Sequence, residues 1–186
     1  MTLALASLAV LLAAAPPKAA ADKLSKLHLA WNAPTSLKEA PVSKNEAMEY
    51  DVALRSPDKK FEVRVSLRPA VPPSKPAPGT KEVRVPDENV FPALVQATLL
   101  NLSAGGAAPN LKPFSPKTLT KEFAAEQGFT AYVDPKAEGW NAYAHCMMYA
   151  LRRAGRGEVY VFFLFDDFEE VKGPVLEAFH LVKFEK

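Results

Sequence analysis

Two stretches in which apolar and polar residues alternate, separated by a turn sequence, form the most regular part of the chain. The apolar positions of the first stretch are Met48, Tyr50, Val52 and Leu54. Those of the second stretch are Phe61, Val63, Val65 and Leu67. The letters SPDKK between them supply the proline and aspartate that turns favour. The pattern predicts an antiparallel hairpin with one solvated face, which would carry Glu62, Arg64 and Ser66.

A second hairpin is predicted in the last third of the chain, although the period of its first arm is ambiguous. The apolar residues between Tyr143 and Leu151 fit one face of a strand and also one face of a helix. The following letters RRAGRGE contain two glycines and lead into a strand-like run, so we predict that Tyr143–Arg153 pairs with Glu158–Phe165. Because the run from Val159 to Phe165 is apolar on both faces, we expect this strand at the centre of the sheet.

Helical spacing of apolar residues predicts two main amphipathic helices, over Asp87–Ser103 and Asp167–Phe184. Gly173-Pro174 would bend or restart the second helix, since proline removes a backbone donor. The letters KEVRV before the first helix and the segment Phe129–Val133 predict further strands. We therefore predict an α+β fold, with one antiparallel sheet of about five to seven strands and the two helices packed on it.

Four carboxylates follow the predicted central strand within five residues, at Asp166, Asp167, Glu169 and Glu170. They suggest either a metal or acid/base site or the start of a helix. A hard cation such as calcium needs about six or more oxygen ligands, usually from a glycine-bent loop of alternating acids, and that pattern is missing. The letters DFEE match a capping box, with Asp167 as N-cap and Glu170 at the third helical position. We interpret these acids as the start of the C-terminal helix.

The N-terminal residues have the pattern of a secretory leader. The apolar stretch Leu3–Ala15 is too short to span a bilayer as a helix, for which about 20 residues are needed. The motif Ala19-Ala20-Ala21 then matches the A-x-A cleavage pattern, which predicts a signal peptide over residues 1–21, although a buried helix is the alternative. Cleavage before Asp22 would leave no integral membrane segment, so we expect a periplasmic or secreted protein.

The rest of the chain divides into a lead-in and one domain. Residues 22–47 form the lead-in, in which the letters KLHLAW place Leu27, Leu29 and Trp31 in the alternation of a short first strand. Residues 48–186 form a single α+β domain, long enough for a core of its own.

Composition narrows the classes of partner and cofactor. The 186 residues include 23 basic and 21 acidic side chains, and a net charge of +2 gives no field that favours nucleic acid. Cys146 is the only cysteine, which excludes an internal disulfide and a CxxC metal or redox pair. Phosphate-loop, nucleophile-elbow and dinucleotide motifs are missing and the three histidines have no ligand spacing, so we expect no cofactor and no metal.

Catalysis by the adjacent residues His145 and Cys146 is disfavoured by their spacing. Neighbouring residues of a strand point to opposite faces and cannot form a nucleophile–base hydrogen bond with each other. We interpret Cys146 as a small buried hydrophobe. A hydrolase or metal-dependent enzyme is still an alternative if strand pairing brings His145 to a carboxylate. The candidate carboxylates are Glu122, Glu126 and Asp134.

A binding surface is the other candidate site. The predicted hairpin tip carries three arginines, and two aromatic residues lie at or just before the start of the first arm. The candidate binding residues are Trp140, Tyr143, Arg152, Arg153 and Arg156. A solvated turn and ordinary core aromatics are the structural alternatives for the same residues.

The order of elements resembles the PsbP-like fold, which a photosystem II extrinsic subunit shares with exported bacterial proteins. The similarity covers about Met48 to Phe184, from YDVALRSPDKKFEVRV at the front to the strand and helix of Val159–Phe184 at the end. No diagnostic motif is matched, so no functional residue is carried over. Members of that fold are mostly binding or assembly proteins, and the resemblance implies a non-catalytic module whose partner is another extracytoplasmic protein.

Overall fold

A computed structural model describes residues 14–71, 87–103 and 109–186. Several predicted features lie outside these ranges, namely most of the leader's apolar stretch and the short strand at KEVRV. Within the described ranges, none of the helices is both long enough and apolar enough to cross a membrane.

The described ranges contain nine strands. They are β1 (Leu29–Trp31), β2 (Lys38–Ala40), β3 (Val52–Arg55), β4 (Phe61–Pro69), β5 (Lys112–Pro113), β6 (Gln127–Val133), β7 (His145–Arg153), β8 (Gly157–Phe165) and β9 (Val182–Phe184). Seven of them form one sheet in the order β2-β3-β4-β8-β7-β6-β5, and β1 pairs with β9 in a small second sheet. Every pair is antiparallel.

Four α-helices accompany the strands in the described part of the chain. They are α1 (Ala21–Leu27), α2 (Asp87–Leu102), α3 (Pro116–Thr118) and α4 (Phe168–Ala178). A 3-10 turn, Lys18–Ala20, precedes α1, and a π-helical turn, Leu119–Phe123, follows α3. The predicted α+β class and the strand number of the main sheet are confirmed.

Both predicted hairpins are present, and the ambiguous arm is a strand. β7 pairs with β8 from His145 opposite Phe165 to Arg153 opposite Gly157, so the glycine-containing turn identified this segment correctly. β8 lies between β4 and β7 at the middle of the sheet, and its residues from Val159 onward are fully buried. Alternation along β8 divides the core into two clusters, one on each face of the sheet.

The two faces are covered by different elements. One cluster joins Val161 and Phe163 of β8 to apolar residues of α1, α4 and the β1–β9 sheet. The other joins Tyr160 and Phe162 to α2, and to the loops that precede β3 and β7. The apolar face of β8 that α2 covers also packs against the loop around Trp140, and this is where the candidate site lies.

The prediction of a solvated face on the first hairpin is wrong. Glu62, Arg64 and Ser66 are 1%, 4% and 5% exposed, because the chain before β3 folds back over them. For the same reason Met48 and Tyr50 do not continue β3, which begins at Val52. They pack in the cluster on the face that α2 covers.

The C-terminal helix is shorter than predicted. The carboxylate of Asp167 accepts the amide N–H of Glu169 at 2.9 Å, so the acids do start a helix, as expected. In a capping box the Glu170 carboxylate would accept the backbone N–H of Asp167. Here it accepts a hydrogen bond from the Lys60 ammonium group at 2.6 Å instead. The helix ends at Ala178 and the chain then forms β9, which pairs with β1, so the prediction of a helix to Phe184 is wrong.

Candidate binding cleft

A buried ionic network lies on the face of the sheet that α2 covers. The Glu62 carboxylate accepts hydrogen bonds from Arg64 Nε at 2.6 Å and from Arg55 Nε at 2.6 Å. The Glu62 and Arg64 side chains are 1% and 5% exposed, whereas that of Arg55 is 36% exposed. The hydrogen bond to Glu62 is the main reason that the pKa of Arg55 lies above its ordinary value. A carboxylate with two guanidinium partners satisfies the rule that a buried charge must be paired.

Two aromatic rings enclose the Arg64 guanidinium. Its central carbon lies 4.6 Å from the Trp140 ring centre and 4.8 Å from that of Tyr50, within the range of cation–π attraction. The two rings meet edge to face, with centroids 5.6 Å apart. Arg64 Nη1 also donates to the carbonyl of Gly139 at 2.5 Å. One buried arginine of β4 therefore joins the sheet to the chain before β3 and to the chain before β7.

Asn45 completes the connection between these two loops. Its side-chain oxygen accepts the indole N–H of Trp140 at 2.7 Å and the amide N–H of Met48 at 2.9 Å. We call Glu62, Arg64, Tyr50, Trp140 and Asn45 the brace. The Arg64 guanidinium binds the loop before β7, and the Asn45 amide binds both the Trp140 indole and the Met48 backbone. The brace therefore fixes the positions of both loops.

A polar depression opens beside the brace. It has a volume of about 700 Å³ and is bounded by the loop Ser43–Ala47, by Asn101 at the end of α2 and by the segment Ala137–Gly139. We call this depression the 43–47 cleft. A second depression of about 370 Å³ shares the loop and Asn101, and extends toward Lys23, Ser66 and Arg68.

The cleft presents hydrogen-bonding groups and charges of both signs. Lys44, Glu46 and Glu138 are exposed at its walls, and Asn101 adds an amide. The neighbouring depression contains the ion pair of Lys23 with Asp51, at 2.6 Å, and the guanidinium of Arg68, which lies 4.6 Å from the Tyr160 ring centre. Such walls suit a ligand that is itself rich in polar groups.

The five residues predicted for a binding surface lie at opposite ends of β7. Trp140 is fully buried in the brace, and Tyr143 is 8% exposed, with its hydroxyl donating to the carbonyl of Lys59 at 3.2 Å. Burial raises the pKa of Tyr143, and the charge of Glu62 acts in the same direction. Most of β7 lies between these aromatics and the arginines, of which Arg152 and Arg153 end the strand, so the five side chains do not share one surface.

The arginines of the hairpin tip hold other parts of the chain. Arg153 and Arg156 both donate to the carbonyl of Glu185, at 2.7 and 2.5 Å, and Arg153 also reaches the carbonyl of Ala124. Arg152 lies opposite Glu158 in the β7–β8 register. The tip therefore fastens the C-terminal residues to the sheet.

Strand pairing brings His145 to one of its three candidate carboxylates. His145 Nδ1 lies 2.7 Å from an oxygen of Asp134, and both side chains are partly exposed. Glu122 instead pairs with His180 at 3.0 Å, and Glu126 accepts the amide N–H of Ala154. Among the residues described, no group of three or more histidine, cysteine, aspartate or glutamate side chains could hold a metal ion.

Cys146 is buried on the face opposite to His145, as the alternation predicts. Burial raises the pKa of its thiol to about 12, so the side chain stays protonated at neutral pH. A thiolate nucleophile with His145 as its base is therefore not what this pair of residues forms.

Comparison with known proteins gives a likeness in architecture. No protein-family model matches the chain, and no curated protein matches it in sequence. The chain is similar to the solution structure of cyanobacterial PsbP (CyanoP) from Synechocystis sp. PCC 6803, with 12% sequence identity and a TM-score of 0.43. The match covers 87% of this chain and 89% of that chain. At this level the likeness concerns the fold alone.

Proposed function

We propose that the protein is an exported, non-catalytic binding or assembly module that holds a polar segment of another extracytoplasmic protein in the 43–47 cleft. The observation that carries this proposal is the brace. Arg64 and Trp140 are buried, and together with Asn45 they fix the two loops that form the cleft walls.

A fixed cleft favours binding for a thermodynamic reason. Ordering loops and side chains at an interface opposes association, at about 0.5–1.5 kcal/mol for each immobilised side chain. In this chain the hydrogen bonds of Asn45 to Trp140 and Met48 already order the loop Ser43–Ala47 before a partner binds. The exposed groups at the rim, Lys44, Glu46 and Glu138, can then pair with a polar partner without reorganising the walls.

Export is the second part of the proposal and is supported by the sequence. The apolar stretch Leu3–Ala15 and the small residues that follow it are typical of a leader for secretion. A near-neutral net charge of +2 favours a protein partner over nucleic acid. The expected location is the periplasm or the extracellular medium.

Site-specific crosslinking in the exporting cell tests the binding site. A photoreactive amino acid replaces Lys44 in the cleft and, in a matched control, Lys172 on α4. Both lysines are exposed, but α4 covers the opposite face of the sheet. We expect one defined protein adduct from the position of Lys44, identified by mass spectrometry, and none from that of Lys172. Equal labelling from both positions, or no adduct from the cleft, would exclude the cleft as the binding site.

A hydrolase that uses His145 is the second candidate function, because the 2.7 Å contact with Asp134 is the arrangement in which a carboxylate orients a histidine base. A panel of ester and peptide substrates tests it with the purified protein. Turnover that disappears in the His145→Ala variant, while the melting temperature stays unchanged, would favour the enzyme over the binding module.

A further inference from the structure

The residues immediately before α1 form part of the folded domain. The amide N–H of Ala14 donates to the carbonyl of Ala33 at 3.0 Å, and Pro17 is buried. The amide N–H of Ala20 donates to the carbonyl of Pro17 at 3.0 Å, which closes the 3-10 turn that leads into α1. Backbone hydrogen bonds, in addition to the burial of apolar side chains, therefore hold the segment 14–21 in place.

Ala20 belongs to the core itself. It is 0% exposed and lies in the same cluster as Leu24 and Leu27 of α1, which pack beside β4. Its neighbours Ala19 and Ala21 are exposed. Of the three alanines of the cleavage motif, Ala20 is thus part of the core, whereas Ala19 and Ala21 are on the surface.

Cleavage after Ala21 would damage this arrangement. It would remove Ala20 and Pro17 from the core and would delete the bond between Ala14 and Ala33. It would also place a new α-ammonium group at the first turn of α1, where the helix dipole disfavours positive charge. The A-x-A pattern therefore predicts cleavage between Ala21 and Asp22, whereas the folded structure is more stable if that bond stays intact.

We propose that the mature protein retains residues 14–21 and that any processing of the leader takes place at or before the bond between Ala13 and Ala14. This proposal depends on export, because an unexported chain would not meet a signal peptidase. The A-x-A motif at Ala19-Ala20-Ala21 is then not the site of processing.

The intact mass of the full chain, expressed with its leader and recovered from the exported fraction, tests the position of the cut. We expect a first residue at position 14 or earlier. A mature chain that begins anywhere from residue 15 to residue 22 overturns the proposal. Recovery of a folded chain in the cytosol with Met1 still present would contradict export instead, so the two failures are distinguishable.

A pair of alanine variants gives an independent test that does not require the exact cut to be known. Ala19 occupies a specified position of the A-x-A motif but is exposed, whereas Ala20 occupies the unspecified middle position but is buried. We expect Ala19→Leu to leave the position of the cut and the melting temperature unchanged, so that the intact mass rises only by the difference between leucine and alanine. We expect Ala20→Leu to lower the melting temperature by about 2–12 °C, through overpacking of the core.

The opposite pattern would overturn the proposal. If the A-x-A motif is the cleavage site, Ala19→Leu yields a longer product, while Ala20→Leu yields a mature protein with unchanged mass and melting temperature. Ala20→Gly covers the case in which the leucine variant fails to fold. It should lower the melting temperature if residue 20 is retained and leave it unchanged if residue 20 is removed.

Discussion

Replacement of Arg64 by methionine is the most informative perturbation of the brace. Methionine has a similar length and no charge, so the variant leaves little void and removes only the polar interactions. Arg64→Met deletes the hydrogen bonds to Glu62 and to the Gly139 carbonyl, and also the contacts with the Tyr50 and Trp140 rings.

The expected magnitude follows from burial. Arg64 and Glu62 form a buried pair with side chains 5% and 1% exposed, and removing Arg64 should cost at most about 3–5 kcal/mol, because Arg55 still binds the Glu62 carboxylate. For a domain of this size that corresponds to a decrease in melting temperature of about 6–20 °C. Arg55 donates to the same carboxylate, but its side chain is 36% exposed and stays hydrated, so we expect Arg55→Met to cost about 1 kcal/mol or less.

Urea unfolding of the single variants Arg64→Met, Arg55→Met and Glu62→Leu and of the Glu62→Leu/Arg64→Met double variant measures these differences. The double variant should be more stable than Arg64→Met alone, because it also removes the buried Glu62 carboxylate, which in the single variant keeps only the partly exposed Arg55 as its partner. Equal losses for Arg64→Met and Arg55→Met would refute the reasoning from burial. Additive losses in the double variant would show that Glu62 and Arg64 act independently.

Three further predictions concern other parts of the fold. Asp167→Ala should lower the free energy of unfolding by about 0.5–2 kcal/mol through the lost cap, whereas Phe163→Ala should lower it by about 3–5 kcal/mol, and urea unfolding of both variants checks the order. Because the pKa of Cys146 is raised to about 12 from an ordinary 9.0, the unfolded state releases its proton first and stability falls as the pH rises between these values. Unfolding of Cys146→Ala should show a shallower fall, and an identical pH dependence would contradict the assignment. Asp134→Asn should leave the melting temperature within a few degrees of the unaltered chain, since its partner His145 is partly exposed and such pairs contribute about 0–1 kcal/mol; a large loss would show that this pair supports the fold.

Local sequence signals were enough to predict the five longest strands of the main sheet, but the short strands β2 and β5 were not predicted. The turn sequences SPDKK and RRAGRGE are flanked by alternating or fully apolar runs, and both hairpins have the predicted pairing. The ambiguous segment Tyr143–Leu151 was assigned correctly from its turn, because its own period fits a helix as well. The position of β8 at the centre of the sheet followed from its apolar character on both faces.

The features that the sequence could not predict depend on contacts between distant residues. Arg64 and Gly139 are 75 residues apart, and Asn45 and Trp140 are 95 residues apart. Alternation in β4 showed that Glu62 and Arg64 share a face, but not that a loop covers it. One local signal was present: Glu62 and Arg64 carry opposite charges on the same face of β4, so they can pair with each other when that face is buried.

The end of the chain was mispredicted for a related reason. Phe179 and Val182 continue the apolar spacing of α4, so a helical period extends beyond the observed end of the helix at Ala178. Pairing of β9 with β1 requires a partner strand at Leu29–Trp31, and nothing near Val182 indicates it. The tertiary contact therefore overrides the local preference.

The most direct test of the central claim is the yield of the crosslinked partner at the position of Lys44 when the brace is weakened. Asn45→Ala removes the acceptor for the Trp140 indole and the Met48 amide, and Asn141→Ala changes an exposed asparagine as the control. The account predicts that Asn45→Ala lowers the yield per folded molecule about tenfold or more, corresponding to about 1.4 kcal/mol of binding free energy, and that Asn141→Ala does not. An undiminished yield in the Asn45→Ala variant would contradict the claim that the brace forms the binding cleft.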